Sequence, residues 1–178
     1  QKAGYYTANC SKTDYNLRSD DNPQNYWNQS GGDYAQTWKS RKAGQPFFTV
    51  YNIGDSHESR AFGDPKKESI IKPEDMKLHS YHPDLPEMRL TYAKYADSVQ
   101  RMDEKVGEAI AKLKADGLYE DTIIIYNSDH GGVLPRSKRF LYASGVHCPL
   151  VVRIPEKWKH LYPKGKKPGD TIDRIVSF

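Results

Sequence analysis

The order of its sequence patterns predicts an α/β fold, with a mainly parallel sheet flanked by helices. Three observations carry this expectation: an aromatic and β-branched run at 45–53 (QPFFTVYNI), a long amphipathic stretch from about Pro86, and two more apolar runs, TIIIYN at 122–127 and HCPLVVRIP at 147–155. Strand, helix, strand, loop, strand reads as a right-handed βαβ arrangement. In such sheets ligands gather beyond the carboxyl ends of the strands.

The elements follow in chain order. Residues 17–45 are rich in Asn, Asp, Gly, Ser and Tyr and lack a sustained period, so they read as a long surface excursion with one short helix near Tyr34–Arg41. NCS at 9–11 and NQS at 28–30 fit glycosylation acceptors. The run at 45–53 reads as a buried strand that stops at Gly54 and passes into DSHES. A second excursion, 60–87, carries prolines at 65, 73, 83 and 86. Tyr92, Tyr95, Val99, Met102, Val106, Ile110 and Leu113 then fall at steps of three and four, the pattern of a many-turn helix that Gly117 terminates. The runs at 122–127 and 147–155 read as buried strands. Residues 54–58 and 127–132 are therefore strand ends, expected on one edge.

Bulk properties exclude several classes. The 178 residues suffice for one domain with a core. Hydrophobic residues make up 37%, and 13 tyrosines add rings that pack while their hydroxyls stay wet. A net charge of +4, from 27 basic and 23 acidic residues, is too even to indicate nucleic acid without a localised stripe. No apolar run approaches the roughly 20 residues of a membrane span. Cys10 and Cys148 lack metal-site spacing, and both a disulfide and two buried thiols stay open. The chain begins at Gln1 and ends on DTIDRIVSF, so both ends read as cut.

The chemistry concentrates where apolar runs end. Asp129 offers hard oxygen donors and His130 a borderline nitrogen, and Gly131 and Gly132 let backbone approach a ligand. Lys138 is a compact charge suited to a tetrahedral oxyanion. Arg136 and Arg139 have the paired donors for one but read as support or solvated surface. His57 is placed as a general acid at the other strand end. Lys12 and Asp14, taken alone, read as a pair on an edge strand.

Together these residues carry a resemblance. GYYTANCSKTDYN, QPFFTVYNIGDSHES, YADSVQRMDEKVGEAIAKLKADGLYEDTIIIYNSDHG and LPRSKRFLYASGVHCPLVVRIP resemble successive blocks of a type I sulfatase, within the alkaline phosphatase superfamily. SKTDYN, WNQS and DSHES resemble the N-sulfoglucosamine sulfohydrolase (heparan sulfamidase) branch. The resemblance implies Asp129 and His130 as metal ligands, with calcium as the cation and zinc or manganese as alternatives. It implies Lys138 and Lys12 as sulfate-binding residues, and His57 as the proton donor to the scissile oxygen or nitrogen. Asp14 stands where the family's GKWHLG-like block has histidine, so it orients Lys12 or touches substrate.

The resemblance also implies a formylglycine nucleophile made from a C/S-x-P-x-R motif, and this sequence contains no such motif. Nor does it contain the upstream acidic pair that completes the family's metal site. The expectation is an interior part of a longer sulfatase catalytic domain, inactive alone, with the nucleophile region and the carboxyl-terminal subdomain elsewhere. The implied substrate is a sulfated carbohydrate, and the implied location periplasmic or secreted, or lysosomal in a eukaryote. Alternatives are a phosphoester or phosphonate hydrolase of the same superfamily and a non-catalytic binder of sulfated glycans.

Overall fold

The computed structural model describes residues 2–10, 12–13, 15–16, 22–31, 37–62 and 68–176. A parallel sheet has the order β2-β1-β3, with β1 at Tyr6–Cys10, β2 at Gln29–Ser30 and β3 at Phe47–Tyr51. Short helices α1 (Glu58–Ala61) and α3 (Ala143–Val146) flank the long α2 (Pro86–Ala115), and β4 (Ile124–Asn127) pairs with β5 (Leu150–Arg153). The α/β class with a parallel sheet and helices stands.

The centre of that sheet is a segment the sequence disguises. β1 reads YTANC, yet all five residues are buried, with Ala8, Asn9 and Cys10 at 0–1% exposure. Its polar side chains are tolerated because they are bonded. The Thr7 N–H donates to Asn28 Oδ1 at 2.9 Å, and Asn52 Nδ2 donates to Asn9 Oδ1 at 2.9 Å. β1 is paired on both sides, and Lys12, read as part of an edge-strand pair with Asp14, lies just beyond its end; Asp14 is outside the described residues. Asn9 also cannot serve as a glycan acceptor in this fold, since its amide is buried and donates to the Lys12 carbonyl.

The 17–45 excursion contributes to the core rather than only to the surface. It supplies β2 and Trp38, which is 4% exposed and packs on Phe47 and Tyr51 with ring centroids 5.7 and 6.2 Å away. Residues 37–40 form a turn instead of the expected helix, and 32–36 lie outside the described residues.

α2 begins at Pro86, where a missing N–H costs nothing, and ends where Gly117 takes φ +67°. The Leu118 N–H donates to the Leu113 carbonyl at 3.0 Å, closing the last turn. On its inner face Asp97 accepts from Ser69 Oγ (2.7 Å) and from the N–H groups of Ile70 (2.9 Å) and Ile71 (3.0 Å), which staples the second excursion to the helix. Burial alone would push the Asp97 carboxyl up. The three donors and the nearby Arg101 charge outweigh it and hold the group below the usual carboxylate range.

Two expectations about the later strands are corrected. β4 pairs antiparallel with β5, so α2 is not a crossover between paired parallel strands. Nor is either strand fully buried. Ile125 is 63% and Val151 61% exposed; β4 alternates between exposed and half-buried residues, whereas Leu150, Val151 and Val152 of β5 are all exposed. On the covered side the Tyr126 hydroxyl reaches Met102 Sδ of α2 at 3.6 Å. Among the described residues no helix is long and apolar enough to cross a membrane. Cys10 and Cys148 form no disulfide with each other; Cys10 is buried and Cys148 partly so.

Candidate functional site

β1 and β3 run parallel with Cys10 opposite Tyr51, so the segments that follow leave the sheet at the same edge. Lys12 follows β1, and its backbone is fixed by the buried Asn9 amide, which donates to the Lys12 carbonyl at 2.7 Å. Asn52, just past β3, donates to both Asn9 Oδ1 and the Cys10 carbonyl (2.9 and 3.0 Å), tying the two strand ends together.

Beyond β3 the turn at 54–57 is anchored on α2 by Lys105, whose ammonium lies 2.6 Å from Asp55 Oδ2. His57 caps α1: its Nδ1 accepts from the Ser59 N–H at 3.3 Å and lies 2.9 Å from Ser59 Oγ. With Nδ1 accepting, the neutral ring carries its proton on Nε2, the nitrogen left to face outward.

After β4 the chain turns sharply. Ser128 Oγ donates to the His130 carbonyl, and the Gly131 N–H donates to the Gly145 carbonyl at 2.9 Å. A Cβ at Gly131 would drive into the Ser144 carbonyl, and one at Gly145 into the carbonyls of Ser137 and Phe140. Both glycines therefore permit a backbone-on-backbone contact that folds 128–147 into one knot. Within it the Lys138 N–H donates to the Gly132 carbonyl at 3.0 Å.

The result is two charge clusters. In one, Lys12 Nζ lies 4.0 Å from Asp129 Oδ2, and His130 Nε2 lies 3.7 Å from Asp129 Oδ1. In the other, Glu58 takes both Lys138 (3.7 Å) and Arg139 (2.9 Å). Glu58 follows His57 directly in the chain, so the second cluster ties Lys138 to the helix that His57 caps. Asp14 lies outside the described residues.

Asp129, with its side chain 73% exposed, fits as an oxygen donor to a divalent cation. His130 fits less simply. Its Nδ1 accepts the Gly132 N–H at 3.2 Å, which leaves the proton of the neutral ring on Nε2. Ligation through Nε2 would require that bond to be given up. Among the described residues no group of three His, Cys, Asp or Glu side chains is arranged to hold a metal.

The chain matches the family model described as Sulfatase over residues 2–177. It belongs to the sulfatase family. An ulvan-active sulfatase of Formosa agariphila is 32% identical over 192 residues, which cover 88% of this chain and 31% of the relative. Human N-sulphoglucosamine sulphohydrolase is 34% identical over 84 residues, covering 47% of this chain and 17% of that protein. N-acetylglucosamine-6-O-sulfatase of Bacteroides thetaiotaomicron is 34% identical over 85 residues, or 46% and 14%. This sulfatase chain spans at most about a third of the length of these three curated relatives.

Sequence reasoning missed Glu58, Asn9 and Asn52. Glu58 had a local signal, an acid beside a candidate histidine. Its partners lie some 80 residues downstream, and nothing local announces that pairing.

Proposed function

We propose that this chain is part of an enzyme that hydrolyses sulfate esters or sulfamates of sulfated carbohydrates. The observation that carries the reading is the family match over 2–177, and the Lys12–Asp129 and Lys138–Glu58 ion pairs support it. A sulfuryl group presents a tetrahedral anion that repels a nucleophile. Lys12 and Lys138 would hold its oxygens and favour the charge that develops in the transition state. His57 would give its Nε2 proton to the departing sugar oxygen or amine. Glu58 would hold Lys138 and Arg139 until the anion takes over one of these contacts.

Asp129, joined by His130 if its ring gives up the Gly132 amide, would hold a divalent cation that acts as a Lewis acid on the sulfate oxygens. Calcium suits the carboxylate, and zinc or manganese would suit a set that includes the imidazole. The formylglycine that the family resemblance implies would supply the attacking oxygen from a segment outside this sequence. Asp14 would orient Lys12 or meet the substrate, and the protein would work in a periplasmic, secreted or lysosomal setting.

The test is sulfate release from sulfated oligosaccharides by the full-length protein and by its Lys138→Ala variant. Removing this donor should lower turnover by about 10²-fold or more while unfolding shifts little. Unchanged kinetics would remove Lys138 from the site. Release of phosphate in place of sulfate would move the assignment to phosphoester hydrolysis.

A further inference from the structure

Behind the Gly131–Gly132 turn opens a cavity of about 660 Å³, walled by His79, Tyr81, Tyr95, Arg136, Tyr142 and His147. The volume is within the range of small-molecule sites, roughly 300–1,000 Å³. None of its lining residues is acidic, whereas an arginine and two histidines are among them.

Arg136 is held there by three independent features. Its guanidinium carbon lies 4.4 Å from the Tyr81 ring centroid and 4.0 Å from that of Tyr142. Its backbone takes φ +65°, a conformation that costs a non-glycine residue on the order of 1 kcal/mol and that the surroundings must impose. Ser144 Oγ donates to its carbonyl at 2.7 Å.

The Tyr81 wall is fixed as well. His82 Nδ1 meets the Tyr92 hydroxyl at 2.7 Å, and its Nε2 donates to the carbonyl of Pro135, the residue before Arg136, at 3.2 Å. His79 stacks on Tyr81 with centroids 5.1 Å apart.

The two rings pack against the guanidinium while Arg136 stays exposed, so its N–H edges are open to a ligand. Among the described residues no hydrogen bond or ion pair occupies those edges. A planar fork of donors, oriented by two rings in a pocket without carboxylates, is suited to bidentate capture of an oxyanion. The turn that floors the pocket follows Asp129 and His130 directly, so the cavity adjoins the candidate centre.

We propose that this pocket receives the sugar unit next to the sulfated one, and that Arg136 binds an anionic substituent on it, a carboxylate or a second sulfate. The proposal rests on the sulfatase reading for the identity of the sugar. The anion preference itself can be measured without turnover.

The experiment titrates the full-length protein calorimetrically with three product-like disaccharides, each lacking the scissile sulfate. One carries a uronate, one has that carboxylate reduced to the alcohol, and one has a sulfate placed on the reduced unit. At least one charged disaccharide should bind tenfold or more tightly than the neutral one, and which of the two does so names the substituent. Arg136→Gln should bring the affinity of the charged disaccharide down to that of the neutral one, and an unfolding midpoint close to wild type reports that the fold is intact. Equal affinities in the wild type overturn the proposal without need of a variant, and so does a preference that survives Arg136→Gln. A protein that keeps the preference but releases no sulfate from any substrate would sink the sulfatase reading and leave the anion site standing.

Discussion

Asn9 offers the sharpest test of how the fold positions Lys12. Its side chain is 1% exposed, donates to the Lys12 carbonyl at 2.7 Å and accepts from Asn52 at 2.9 Å. Asn9→Ala removes both bonds, each worth about 1 kcal/mol net. Neither partner is orphaned: Asn52 keeps the Cys10 carbonyl, and the Lys12 carbonyl still accepts from the Tyr15 hydroxyl at 3.3 Å. Lost packing adds about 1 kcal/mol, giving a cost of about 2–3 kcal/mol.

Asn9→Asp has the same shape but sets a buried carboxylate oxygen against the Lys12 carbonyl. It should cost more than the alanine variant at pH 7. The introduced carboxyl will have a folded pKa above its unfolded value, so its protonated form is the one the fold accepts. Relative stability should therefore recover as pH falls through that raised value. Thermal unfolding of the full-length protein followed by tryptophan fluorescence, at pH 7 and pH 5, reads both effects. A loss under about 0.5 kcal/mol in the alanine variant would refute the reasoning, as would an Asp variant that is no worse and indifferent to pH.

Three further outcomes are expected. Asp97 is held below its ordinary value of 3.8, so its contribution to stability is present above that value and lost as pH falls through the lower folded one. Asp97→Asn should flatten acid unfolding in that window, and an unchanged acid limb would exclude Asp97 as a contributor. Gly145→Ala should force the knot apart, because the atoms in its way are backbone carbonyls. Faster hydrogen exchange at the Gly131 amide, which bonds to the Gly145 carbonyl, is the readout, and unchanged protection there would contradict the contact. Trp38→Phe deletes the 2.6 Å bond from Nε1 to the Asp116 carboxylate and should cost about 2 kcal/mol in urea unfolding. A midpoint equal to wild type would show that the bond contributes nothing.

What the sequence determined by itself was whatever is periodic or contiguous. The helix from Pro86 to Ala115 was legible because three- and four-residue spacing and a terminating Gly117 are local signals. β3 was legible as an aromatic run, and the class followed from the order of such runs. His57, Asp129, His130 and Lys138 stood out as polar residues where apolar runs end, whereas Lys12 became a candidate only through the family resemblance.

Tertiary structure decided everything that depends on partners distant in the chain. β1 is central because Thr7 and Asn9 find Asn28 and Asn52, and no period in YTANC reports this. β4 and β5 carry the apolar composition of buried strands, but they pair only with each other, and Ile125, Leu150, Val151 and Val152 stay exposed. Arg136 read as surface, and it is exposed in the fold. Only the tertiary structure sets Tyr81 and Tyr142 against its guanidinium, with ring centroids 4.4 and 4.0 Å away, because both rings come from segments distant in the chain or turned back on it.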